Sequence, residues 1–312
     1  MTEINSQNLG QIIQETINNI LSNLFSSINN NLYEILDNIT FISSDIINDS
    51  YFLNIFGSSA ENGILLIANS LLTGFILYYA VNLIFSYILF SETQRPMQYI
   101  FRVIIFLILM NSSYFICEQI INFNSTLSLS IRELGESIYN KNISFSTLFD
   151  NLNNIITTSN SFNLFSVDGL IKSFIYISII NILLSYSLRY IMVKVFILIC
   201  PFAILTLINK NTNWFFKTWI KSFISLLLLQ VFISLILLIV FSINFSDNLF
   251  SKILYMGGLY SLMKSNIIIK ELLGGISTNF SQNLYQLKYL FGGSKWILYF
   301  QVIMHLKINY SG

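Results

Sequence analysis

Ser178, Asn181, Ser185 and Arg189 follow one another at intervals of three, four and four residues inside an otherwise apolar run. At 100° per residue they fall within one narrow sector of a helix and form a single polar stripe. Polar groups in a hydrocarbon environment are costly, and two arrangements offset the cost: the stripe lines an aqueous path, or it hydrogen-bonds one helix to another. Asn111, Tyr114 and Glu118 in an earlier run, and Gln230 with Ser234 in a later one, are groups of the same kind. On sequence alone both uses stay open.

None of these groups forms a catalytic set. The chain contains no G-x-S-x-G, no H-E-x-x-H, no C-x-x-C and no convergent carboxylate pair. It is therefore read as a non-enzyme, with no catalytic residue and no cofactor. Cys117 and Cys200 lie in apolar runs and read as small buried hydrophobes. His305 has no partner at ligand spacing, so no metal site is expected. Gly257 with Gly258 and Gly274 with Gly275 flank the last apolar run, where they permit close packing or a helix end. No dense basic face is present, so independent binding of duplex nucleic acid is not expected.

Composition sets the elements that must carry these residues. Of 312 residues, 54% are hydrophobic and only 10% charged, and the mean hydropathy is +0.66. Too few charges remain to solvate a globular surface, which predicts an all-α, polytopic integral membrane protein. Residues 1–62 carry seven acidic side chains and no Lys or Arg, the first basic residue being Arg95. No basic segment followed by a short apolar core opens the chain, so the first span is expected to direct insertion.

A bilayer core takes about 20 apolar residues as a helix, and runs of that kind occupy 63–90, 99–121, 169–188, 222–243 and 253–270. Placing Lys and Arg on the cytoplasmic side gives five spans, with the N-terminus outside and the C-terminus inside. The organisation expected is an extracytoplasmic amphipathic segment (1–62), a transmembrane hairpin (63–121), an extracytoplasmic loop (122–168), a membrane bundle (169–270) with an interfacial segment at 200–221, and a cytoplasmic tail (271–312).

The stretch "RYIMVKVFILICPFAILTLINK", residues 189–210, decides this count. Taken as an extra span it sends Lys210, Lys217 and Lys221 outside, against the charge rule. The third span is therefore expected to end near Arg189 or to run on as one long tilted helix, with Arg189 and Lys194 snorkelling to the headgroups. Pro201 is expected to end or bend that helix at the membrane surface. In "NWFFKTWIKSF" Phe215, Phe216, Trp219 and Phe223 share one helical side and Lys217 and Lys221 another, an aromatic and basic belt beginning at Trp214. Near the N-terminus Leu9, Ile13, Ile17, Ile20, Leu24 and Ile28 recur at three or four residues. That apolar side must dock on a partner, the membrane surface, or this chain's own loop, where Leu127, Ile131, Leu134 and Ile138 repeat the spacing.

The order of these segments, with "RYIMVKVFILICPFAI", "WFFKTWIKSFISLLLLQVFISLILL" and "LYSLMKSNIIIKELLGG", resembles the TrbL-like conjugal transfer proteins, polytopic channel subunits of type IV secretion systems. The resemblance covers roughly residues 60–280 and carries over Arg189, Pro201, Trp214, Trp219 and Gln230. It implies an oligomeric scaffold and pore element in the cell membrane, working beside other secretion membrane subunits and cytoplasmic secretion ATPases to move DNA or protein. A small-solute permease is the alternative, although no internal repeat is visible; a lysis or immunity protein is a third class.

Overall fold

The structure is a computed structural model that describes residues 30–57, 62–89, 96–156, 167–209, 212–243 and 248–274, with six helical positions between 12 and 20. Among the described residues all regular structure is helical. The elements are α1 (Asn30–Thr40), a 3-10 turn (Ser44–Ile46), α2 (Ser50–Phe56), α3 (Gly63–Leu89), α4 (Pro96–Asn111), α5 (Ser113–Tyr139), α6 (Phe145–Ile156), α7 (Val167–Leu205), α8 (Asn213–Ser242) and α9 (Leu249–Leu273).

Among the described residues three helical stretches are long and apolar enough to cross a membrane: Gly63–Ile88, Gly169–Leu205 and Asn213–Ser242. A fourth crossing arises if α4 and α5, bent by 58° at their junction, count as one span. The fifth expected run lies in α9, where Lys252, Lys264, Lys270 and Glu271 interrupt the apolar sequence. Length and apolarity alone therefore give three or four crossings among the described residues.

Cross-helix bonds fix the directions. Asn124 meets Leu227 and Ser128 meets Ser234, so α5 runs parallel to α8. Arg189 meets Leu226 and Trp219 meets Phe196, so α7 and α8 are antiparallel. Tyr255 bonds the Ile243 carbonyl and Gly258 lies against Val240, which makes α9 antiparallel to α8. Helix α8 is apolar on nearly every side and accordingly sits in the middle, burying Phe223, Leu226, Leu227, Leu229, Ile233 and Leu237. Helix α5 has no room for a side chain at Gly135, where a Cβ would come within 2.7 Å of side-chain atoms of both Ile143 and Leu238.

Several expectations change. Residues 122–139 are helical, the second half of α5 packed along α8. Residues 213–221 are the opening turns of α8, continuous with the apolar run that follows. Of the two forms expected for 189–208, α7 is one long helix to Leu205. Pro201 does not end it: the residue is buried within the helix, which stops one turn later. Pro201 has no N–H for the Ile197 carbonyl, so tolerance here reflects proximity to the helix end. There, 3-10-type bonds from Leu207 to Ile204 and from Ile208 to Leu205 tighten the chain. Of the N-terminal apolar repeat, Ile17 and Ile20 are exposed, and Leu9, Ile13, Leu24 and Ile28 lie outside the described residues, as does the tail from Gly275.

Candidate functional site

Between α1 and α2 the chain leaves the α-helix for residues 41–49 while remaining inside the bundle: Ile42, Ile46 and Ile47 are at most 4% exposed. Local side chains explain the interruption. Ser43 caps the 3-10 turn through a bond from the Asp45 N–H, and Asp49 caps α2 by accepting from the Tyr51 N–H. A break of this kind leaves main-chain donors and acceptors without helical partners, and in an apolar interior each must find another.

Two residues of the long helices meet three of them, the Thr40 carbonyl and the N–H and carbonyl of Ile42. Arg189, from the middle of α7 and fully buried, donates through Nη1 to the Thr40 carbonyl at 2.8 Å and through Nε to the Leu226 carbonyl at 2.7 Å. Its Nη2 reaches Gln230 Oε1 at 3.3 Å and the Leu227 carbonyl at 3.5 Å. Gln230, from α8, treats Ile42 as a strand would: its Oε1 accepts from the Ile42 N–H at 3.0 Å and its Nε2 donates to the Ile42 carbonyl at 3.3 Å. The guanidinium therefore lies among neutral oxygens, and among the described residues no carboxylate forms an ion pair with it. Hydrogen bonds to a charged group contribute about 1.5–3 kcal/mol each, and here they offset the cost of burying that charge.

The rest of the break is held at its edges. The Tyr114 hydroxyl lies 3.2 Å from the Ile47 carbonyl and 3.1 Å from Asn48 Oδ1. Lys194 pairs with Asp49 at 3.8 Å and lies over the rings of Phe52 and Tyr190. At the other end Asp37 caps α6, accepting from the N–H groups of Phe145 at 2.7 Å and Ser146 at 3.1 Å and from the Ser146 hydroxyl. Burial pushes the Asp37 carboxyl above its ordinary range, against the lowering effect of those donors and of Arg132. Arg132 lies 4.1 Å above the Phe41 ring.

The sequence-predicted residues fall into groups. Arg189 and Gln230 do converge, and Ser234, one turn beyond Gln230, bonds Ser128 at 2.7 Å. Arg189 does not snorkel: it is 0% exposed and turned inward onto the main-chain oxygens of Thr40, Leu226 and Leu227. Lys194 keeps partial exposure. Ser178 and Ser185 face the interior but bond locally, Ser178 to the Phe174 carbonyl and Ser185 to Asn181. Trp219 is buried and donates to the Phe196 carbonyl at 2.9 Å, whereas Trp214, Lys217 and Lys221 are exposed together on the opposite face. Gly274, at φ 68°, ends α9 as a left-handed cap. Missed were Thr40, Ile42, Asn124, Ser128 and Tyr186, the last within bonding distance of Leu262 O and Ser265; Asn124 and Ser128 announce themselves only as polar residues spaced four apart in α5. Comparison with family models, with curated proteins and with solved structures finds no match to this chain.

Proposed function

We propose that the chain is a membrane scaffold and channel subunit of a type IV secretion apparatus, of the TrbL-like conjugal transfer type, helping move DNA or protein across the cell membrane. The observation that supports a scaffold is how the interior polar groups are used. Arg189, Gln230, Asn124, Ser128, Ser234 and Tyr186 all bond within the chain, joining helices and fixing the break at 41–49. In this reading there are five crossings, with α4 and α5 as one and α9 as the last. The N-terminus is outside, the C-terminus is cytoplasmic, and the end bearing Arg102, Lys217 and Lys221 faces the cytoplasm. Energy comes from cytoplasmic ATPases, and the chain works as one of several copies in an assembly.

A permease is the second reading, favoured by the break itself, because transporters place interrupted helices at their substrate sites. One experiment separates the two. Affinity purification from gently solubilised membranes should recover a secretion ATPase and other membrane subunits with the full chain, and fewer with a chain truncated after Gly275. A lone protein that moves a small solute across liposomes without added components would overturn the secretion reading in favour of the permease.

A further inference from the structure

We infer that the opening turns of α8 form a binding surface for anionic phospholipid headgroups. Trp214, Lys217, Thr218 and Lys221 are all exposed and, at intervals of three, one and three, make one outward stripe. The same outward side continues through Ile224, Leu235 and Ile239, also exposed. Its chemistry therefore changes from aromatic and basic to wholly aliphatic within one helical turn, between Lys221 and Ile224. That is the profile of a lipid from headgroup to acyl chain, drawn along one helix.

The charge is unopposed along the chain. From Arg189 to Ser246 the sequence contains five basic residues and no Asp or Glu. Neither lysine takes part in an ion pair among the described residues. Arg102 adds a further cation at this end, reaching the Ile208 carbonyl of the α7–α8 turn at 3.4 Å. The inner face of the same turns is occupied by Trp219, stacked on Phe223 with ring centroids 5.4 Å apart, so the stripe is anchored to a rigid core. A phosphodiester with an attached acyl chain satisfies both halves of the stripe. A nucleic acid satisfies only the basic half and leaves Ile224 and Leu235 uncovered. The inference needs α8 to cross a membrane and does not depend on the secretion reading.

The test is a titration of the full-length chain in detergent with phosphatidylglycerol or phosphatidylcholine, read by native mass spectrometry. Phosphatidylglycerol should bind more tightly, weakening roughly fivefold for each lysine removed in K217Q and K221Q, while K217R/K221R retains the preference. Both lysines are exposed, so these variants should keep the wild-type circular dichroism and elution volume. Equal affinity for the two lipids, or a preference unchanged in K217Q/K221Q, would overturn the assignment. Displacement of phosphatidylglycerol by an oligodeoxynucleotide that binds more tightly would also overturn it and give the stripe to nucleic acid.

Discussion

Arg189 on α7 donates to the main-chain carbonyl of Thr40, 149 residues earlier, at 2.8 Å. A guanidinium is suited to this place: its planar fork presents five N–H donors to oxygens lying in several directions, and here four oxygens from α1 and α8 surround it. Replacing Arg189 by Met should leave the Thr40 carbonyl buried and unmet. The expected loss is about 2–3 kcal/mol, read as a lower denaturation midpoint in detergent and as faster proteolysis between residues 40 and 50. R189K should recover only part, since an ammonium has three donors and no fork.

Gln230 offers a sharper comparison. Q230L removes both bonds to Ile42 and should cost about 1–3 kcal/mol. Q230E keeps an acceptor for the Ile42 N–H and faces Arg189 with a charge, so it should be milder despite introducing a carboxylate. If thermal melts place Q230E below Q230L, the lost Nε2 bond to the Ile42 carbonyl outweighs the added contact with Arg189.

Ser128 and Ser234 should be coupled and Ser178 should not. A double-mutant cycle with S128A and S234A is expected to give about 0.6 kcal/mol of interaction energy between α5 and α8. S178A should show no coupling with any change on α8, because its hydroxyl turns back to Phe174.

Asp37 should make stability depend on pH. Burial raises its carboxyl above the ordinary range, so the folded chain holds the proton more tightly than the unfolded one. The stabilisation is complete below the unfolded value of about 3.9 and is lost as pH rises through the raised folded value. Melting temperature should therefore fall across that interval in the native protein. D37N should flatten the slope while lowering stability throughout by about 1 kcal/mol through loss of a cap oxygen.

A cysteine at Asn142 should react with an impermeant thiol reagent in intact cells, and one at Asn211 only after permeabilisation. Labelling of the second site from outside would reverse the proposed orientation.

The apolar helices were legible because hydrocarbon length is written directly as a run of residues, and α3, α7 and α8 each contain one. The α5 extension was legible only as helical spacing at Leu127, Ile131, Leu134 and Ile138; that Ser128 and Gly135 are small enough to let α5 lie against α8 was not. Arg189 and Gln230 stood out as polar residues in apolar surroundings, but their partners could not be found by side-chain type. Thr40 and Ile42 take part through main-chain atoms, which every residue has. The stripe at 178–189 had the right period and faces the interior; what periodicity leaves out is that a serine in a helix can bond its own preceding turn.

The interrupted segment also orders events during synthesis. Residues 40–49 emerge long before their anchors, since Arg189 follows Thr40 by 149 positions and Gln230 follows Ile42 by 188. At ribosomal speeds of ~5–20 residues per second the wait is on the order of 10–40 s. During it the early segment has an exposed backbone and no seat. This early segment is thus among the last to settle, and a ribosome that stalls before α8 leaves a product whose unseated residues 40–49 mark it as unfinished.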